Sequence, residues 1–279
     1  MTADAYDYTM ISVEIEEGVA WATVDHPPIN LITLPLFGEL LRLGKQIEAD
    51  DDVRVFILRS ANPDFFLAHF DIHAILEFPT EGEAQRSDSN AYHAMCENYR
   101  TMDKVTLAQI EGRVGGGGSE LAMAFDMRFG VLGRTRINQM EVPVGILPGG
   151  SGTQSLPHLV GRGRALEIIL GGEDLDAATA ERWGYLNRAL PAEEIGPFVD
   201  GLARRIAGFP ADAVRLAKQA VGHAHSLAPE GLIEETYLFD RLLRTEDAQT
   251  AMREFLDLGG QTPEGEAEVA RLSGSLRRK

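Results

Sequence analysis

The chain of 279 residues has a single cysteine, Cys96. One cysteine excludes an intrachain disulfide and suits a reducing compartment. No thiol-enzyme signature surrounds it, so the expectation is a helix-buried side chain and not a nucleophile. Positive charge is also scarce: 26 Lys and Arg stand against 43 Asp and Glu, for a net charge of −17. That balance argues against nucleic acid or an anionic membrane as a partner. A phosphate-bearing ligand would need basic residues gathered locally. No apolar run reaches the roughly 20 residues of a membrane span. The first ten residues are acidic and have neither the basic end nor the apolar centre of an export signal, so the expected location is cytoplasmic. There is no clear internal repeat and no low-complexity tract. What remains, 44% apolar and 25% charged residues, is ordinary for a soluble globular chain. Its length is enough for one large domain, or one domain with an appendage.

The richest stretch runs from Ile110 to Gly152. Four consecutive glycines, Gly115 to Gly118, follow an apolar strand and open a helix expected over Ser119 to about Asp126. Glycines let backbone approach a ligand with no Cβ in the way. The first-turn N–H groups of the helix have no partner inside it and suit an oxygen that gains negative charge. Glu120 sits beside the glycines. Glu141 lies between a strand and a second Gly-rich turn that ends in Pro148-Gly149-Gly150-Ser151-Gly152. Together they read as two acids facing a polarised carbonyl. Other readings stay open on these residues alone: a tight turn, or a phosphate cradle. No Gly-Lys-Ser/Thr follows the glycines, which excludes a P-loop, and no G-x-G-x-x-G supports a dinucleotide site.

Along the chain, residues 1 to about 10 read as a loose arm. Val13–Ile15 and Val19–Val24 flank a Gly18 turn as a hairpin. Leu36, Leu40, Leu43 and Ile47 repeat at helical spacing behind Pro35. Val53–Leu58 is a buried strand by its unbroken apolar run. Residues 62–72 read as a loop entering a helix, 79–91 as a polar and mobile segment, and Ala91–Met102 as a helix. Strands are expected at Val105–Ile110 and Met127–Leu132, so strand and helix alternate in α/β fashion. From Ser151 on, the pattern is mostly helical, with pieces at 165–170, 177–183, 192–207, 211–223, 232–243 and 247–256. Gly259 to Lys279 reads as a frayed tail.

Three ordered motifs stand out, at Phe66–Ile72, Gly112–Asp126 and Glu141–Gln154. Together they resemble the crotonase family (enoyl-CoA hydratase/isomerase), and the likeness covers about residues 10 to 257. Phe66-Leu67-Ala68-His69-Phe70-Asp71-Ile72 is similar to the family's F-x-A-G-x-D-I. Gly112 through Asp126 is similar to N-G-x-x-x-G-G-G-x-E-L-A-x-x-x-D. Glu141 through Gln154 is similar to P-E-x-x-x-G-x-x-P-G-x-G-G-T-Q. The resemblance implies a spiral of β-β-α turns over residues 1–205. It also implies a C-terminal helical region, 206–279, that assembles the chain into homotrimers or homohexamers. The implied ligand is an acyl-CoA thioester, with coenzyme A entering as part of the substrate and no separate cofactor or metal. By position, the backbone N–H groups of Phe70 and Gly117 would form the oxyanion hole. Glu120 would act as base toward water, and Glu141 would give the α-carbon its proton. Ala68, His69, Asp71, Ile72 and Gly116 would line the substrate.

Departures from the family pattern stand beside these matches. His69 replaces a glycine, Glu111 replaces the asparagine of N-G, and Val105 replaces the proline after Lys104. His69 is expected to pack or to point to solvent; the alternative is that it lines the pocket and acts on substrate. Lys104, Arg59 and Arg42 are candidates for the CoA phosphates. His69, Asp71 and His73 alternate but make only a weak metal pattern. The leading expectation is hydration of a 2-enoyl-CoA or its reverse. The alternatives are double-bond isomerisation, decarboxylation or thioester hydrolysis on the same scaffold, a non-catalytic acyl-CoA-binding protein, and a serine hydrolase using Ser119 or Ser151.

Overall fold

Residues 6–86, 90–224 and 227–276 are described by the structure, a computed structural model. The chain opens on the expected hairpin of β1 (Ile11–Glu16) and β2 (Val19–Val24), which turns through Glu17 and Gly18. α1 (Leu34–Ala49) starts at the Thr33 cap with Pro35 in its first turn and buries Leu36, Leu40, Leu43 and Ile47. Then come β3 (Val55–Ser60), β4 (Phe65–Leu67), α2 (Ile72–Leu76) and α3 (Ala91–Thr101). The next turn is β5 (Val105–Ile110), β6 (Arg113–Gly115) and α4 (Gly116–Met123), followed by β7 (Met127–Val131), β8 (Arg136–Asn138) and α5 (Gly152–Val160). After α6 (Arg162–Gly171) come β9 (Leu175–Asp176), α7 (Ala177–Trp183) and β10 (Arg188–Leu190). The chain continues through α8 (Ala192–Ala207), α9 (Ala211–His223), α10 (Pro229–Leu243), α11 (Glu246–Asp257), α12 (Pro263–Ala267) and α13 (Val269–Gly274).

The α/β spiral is visible in how strands are shared out. Each of three passes lays its first strand in a six-stranded sheet ordered β1-β2-β3-β5-β7-β10. The next strand of the pass goes to a four-stranded sheet ordered β4-β6-β8-β9. β2, β3, β5, β7 and β10 run parallel, as do β4, β6 and β8. Successive side chains alternate between the faces of the large sheet, and its inner strands β2, β3, β5 and β7 are buried on both. Phe56 and Leu58 of β3 and Ala108 and Ile110 of β5 face the interior shared with α1, α3 and α4. Val55, Ile57, Val105 and Leu107 face the other way, onto Ile195, Val199, Ala203 and Ala207 of α8. Those four α8 residues recur every fourth position, one stripe of the helix.

Several expectations need correction. The described part of the N-terminal arm is docked: Tyr6 donates to Asp50 at 2.8 Å, and Tyr6, Tyr8 and Met10 pack on the core. α4 begins at Gly116, so the glycines are its first turn and not a loop before it. The short strands β6, β8, β9 and β10 and the helix α5 gave too little periodicity to be read. Of the polar segment 79–91, residues 87–89 lie outside the described residues, as do 1–5, 225–226 and 277–279. The C-terminal tail is folded up to residue 276. Val269 and Leu272 join Phe255, Met252 and Leu243 in a third apolar cluster with Ile72, Ile75, Met140 and Val144. The C-terminal helices therefore pack on α2 and on the turn that carries Glu141. Among the described residues no helix is long and apolar enough to cross a membrane.

Candidate active site

Glycine is required where α4 starts because the chain passes so close to other backbone. A Cβ on Gly118 would stand 2.3 Å from the carbonyl oxygen of Leu67. Gly116 has φ +42°, and a Cβ there would meet Glu141 Oε1 and the Cβ of His69, each at 2.9 Å. This tight start brings the first motif, β4 through α2, against the glycine helix. The backbone of the first motif is fixed by a bridge to Ile32, whose N–H donates to the His69 carbonyl and whose carbonyl accepts from Asp71 N–H. In such a bridge the middle residue's own N–H faces the other edge. Phe70 N accordingly lies 3.5 Å from where a Gly117 Cβ would be. The two N–H groups expected to hold an oxyanion thus belong to neighbouring backbone segments.

Glu120 is one turn into α4 and 4% exposed. Its Oε1 accepts N–H bonds from Gly150 and Gly152, both at 2.8 Å. These amides sit at the start of α5, where Ser151 has φ 90°. Unpaired helix-start donors are natural partners for a carboxylate. The alternate amides of the same turn serve a third acid. Ser151 N and Thr153 N donate to Glu235 of α10 at 2.7 and 2.8 Å. Glu235 is in turn paired with His93 Nε2 of α3 at 2.8 Å, with both side chains buried. Nothing in sequence flagged Glu235 or His93, since they are 142 residues apart and neither lies in a motif.

Glu141 follows β8 in a turn, 8% exposed, and its Oε2 is buried with no protein partner among the described residues. Burial raises its pKa to about 7, aided by the charge of Glu235; its backbone N–H and the cationic side of His69 pull the other way. Glu120 is held well above the carboxylate range, first by burial, then by the charges of Glu141 and Glu235, against the two glycine amides. Two acids whose charged forms repel in a dry site suit acid–base chemistry near neutral pH.

Glu120, Glu141, His69, Phe70, Ile72 and Gly117 line one cavity of about 520 Å³. Its remaining wall is mostly apolar: Phe37 and Tyr92 stacked at 5.6 Å, then Phe78, Val144, Phe239 and Leu243. Tyr92 donates to the Gly117 carbonyl at 2.6 Å, which fixes that peptide in place. Three expected substrate residues lie off the wall. Ala68 packs with Ile29 and Phe65, Gly116 lies beneath His69 and Glu141, and Asp71 caps α2 and accepts from Gln261. His69 neither points to solvent nor merely fills space. It is 3% exposed, its Nδ1 lies 2.8 Å from the Phe70 carbonyl, and its Nε2 lies 3.0 Å from Glu266 of α12.

The other candidates fall elsewhere. Lys104, Arg59 and Arg42 bond to the Asp50 carbonyl, Thr23 and the Asp7 carbonyl, away from this cavity; among the described residues Arg244 is the arginine on its wall. Phe65 and Phe66 are core, whereas Phe70 reaches the cavity. Cys96 is buried in α3, with burial pushing its thiol pKa up. Ser119 shares its hydroxyl with Tyr185 at 2.8 Å, a partner that cannot act as a hydrolase's histidine. Among the described residues no group of three or more His, Cys, Asp or Glu side chains could hold a metal ion.

Residues 14–261 match the model of the enoyl-CoA hydratase/isomerase family. The chain is 31% identical over 252 residues to the probable enoyl-CoA hydratase echA8 of Mycobacterium tuberculosis, covering 90% of this chain and 96% of that one. It is 31% identical over 250 residues to the short-chain-enoyl-CoA hydratase of Clostridium acetobutylicum, covering 88% and 94%. A Streptomyces avermitilis structure provisionally named an enoyl-CoA hydratase superposes with a TM-score of 0.89 at 36% identity, over 98% of this chain and all of that one.

Proposed function

The chain belongs to the enoyl-CoA hydratase/isomerase family, and from that premise we propose that it adds water to the double bond of a 2-enoyl-CoA, or removes it from the 3-hydroxyacyl-CoA. The observation that carries this reading is the convergence of Glu120 and Glu141 on one cavity beside the Phe70 and Gly117 amides. The thioester oxygen takes the N–H of Phe70 and of Gly117, each such donor being worth roughly 3–4 kcal/mol to an enolate-like transition state. Glu120, oriented by the Gly150 and Gly152 amides, draws a proton from the attacking water. Glu141, whose Oε2 has no protein partner among the described residues, exchanges the proton at the α-carbon. The apolar wall from Phe78 to Leu243 receives the acyl group.

One observation favours a second reading, double-bond isomerisation. Glu120 Oε1 already accepts two amides while Glu141 Oε2 has no partner among the described residues, and moving a proton between two carbons needs one acid only. Mass spectrometry of acyl-CoA thioesters incubated in heavy-oxygen water separates the two. One labelled water gained on an enoyl-CoA supports hydration; unchanged mass with a moved double bond supports isomerisation. Thioesters left untouched while CoA still binds would leave a binding protein. For assembly, a homotrimer or homohexamer is proposed. It is supported by α9, which buries no residue while Leu216 and Val221 stand exposed, and light scattering tests it.

A further inference from the structure

The C-terminal segment reaches His69, on the cavity wall, with an acid that the reaction above does not use. Glu266 and His69 lie at 1% and 3% side-chain exposure, with Oε1 and Nε2 3.0 Å apart. Hydrogen-bond counting points to the charge on this pair. The Phe70 carbonyl can only accept, so His69 Nδ1 carries a hydrogen. Glu266 Oε1 also accepts the N–H of Gln261 at 2.8 Å. A carboxylate oxygen takes both contacts with lone pairs. A neutral pair would ask a hydroxyl oxygen to accept an amide while donating to the ring, a weaker arrangement. Arg113 of β6, which donates to Asp174 and to the Ala267 carbonyl, adds positive charge near Glu266. Burial opposes charge on both partners, yet His69 is raised and Glu266 lowered, the directions of an ion pair.

His69 also faces Glu141, since both crowd the same side of Gly116. The charged groups acting on His69 are Glu266 from α12 and Glu141 from the turn after β8. Glu141 itself feels His69 and Glu235, and it raises Glu120. Within that acidic set, the imidazolium is the counter-charge.

We propose that Glu266 is a positioning residue: it holds His69 as an imidazolium beside Glu141, and this fixed cation keeps Glu141 available as the carboxylate that takes the α-proton. Only the last step rests on the hydratase reading.

Nitrogen-15 NMR of histidine-labelled protein tests the first step without any turnover. His69, assigned by its loss in His69→Gln, is expected to show two protonated nitrogens at pH 7 in the wild type and a neutral ring in Glu266→Gln. A neutral His69 in the wild type overturns the proposal, and that spectrum decides even where Glu266→Gln loses its fold. The second step is read in the pH profile of kcat/KM for dehydration. Its rising limb should move up by roughly one unit or more in Glu266→Gln and in His69→Gln. The double variant should move it no further, and Glu266→Asp should restore it in part. An unmoved limb in folded Glu266→Gln overturns the link to Glu141. If no thioester turns over while the spectra behave as stated, the hydratase reading has failed and the ion pair stands.

Discussion

Glu120 and Glu235 divide one four-amide turn between them, Glu120 taking Gly150 and Gly152 and Glu235 taking Ser151 and Thr153. Ser151, at φ 90°, sends successive N–H groups to opposite sides. The acid proposed to activate water is therefore oriented by a loop that a C-terminal helix clamps from its far side, with His93 completing the clamp.

Glu235→Ala should consequently destabilise the fold and not merely the site. It leaves the His93 side chain and two buried amides without their acceptor. Each buried polar group left unsatisfied in this way costs on the order of 1–3 kcal/mol. Denaturant unfolding should show the loss as a lower midpoint with an unchanged slope, and a midpoint within error of wild type would refute the clamp.

Glu120→Gln and Glu141→Gln should each lower kcat for hydration by roughly 10²–10⁴-fold, with little change in KM. Both substitutions keep shape and remove only the ability to move a proton. Steady-state kinetics on a panel of 2-enoyl-CoA thioesters measures this. Full hydratase turnover by Glu141→Gln would remove Glu141 from the mechanism.

Glu141 also makes a prediction about stability against pH. Its pKa rises from 4.5 to about 7 on folding. Between those values the native state keeps a proton that the unfolded chain has released, so stability falls as pH rises through the window. Gln cannot titrate. The stability of Glu141→Gln relative to wild type should therefore increase from pH 4.5 to 7, by on the order of 3 kcal/mol, and then level off. Paired unfolding curves across that range check it; a flat difference would mean that folding leaves the Glu141 pKa unchanged.

How much of this was legible in sequence depends on the range of the interaction. The hairpin at Gly18, the stripe Leu36-Leu40-Leu43-Ile47 and the strand at β5 follow from local pattern, and the structure keeps all three. Glu120, Glu141, Phe70 and Gly117 stand out in sequence because they sit in motifs, and the structure brings them to one cavity. Glu266 could not be found this way. Pro263-Glu264-Gly265-Glu266-Ala267 has the composition of a frayed end, and its burial depends on partners 197 residues away. β8 and β9 are too short for a period, and their pairing is supplied by the sheet they join.

Arg113 is where that hidden contact should be most exposed to test. It forms a two-pronged pair with Asp174 at 2.6 and 2.7 Å and donates to the Ala267 carbonyl at 2.8 Å. One side chain thus ties β6, which leads straight into the glycine helix, to the helix that carries Glu266. Arg113→Ala removes the anchor and leaves that carbonyl without its donor. Hydrogen exchange should then rise across residues 261–276 more than in the parallel sheet, because the anchor is lost locally while the strand ladders remain. Arg113→Lys should recover little, since an ammonium cannot make the planar two-pronged contact. If exchange in 261–276 stays at the wild-type level in Arg113→Ala, the segment is held by Val269 and Leu272 in the apolar cluster alone, and Arg113 has no part in presenting Glu266 to His69.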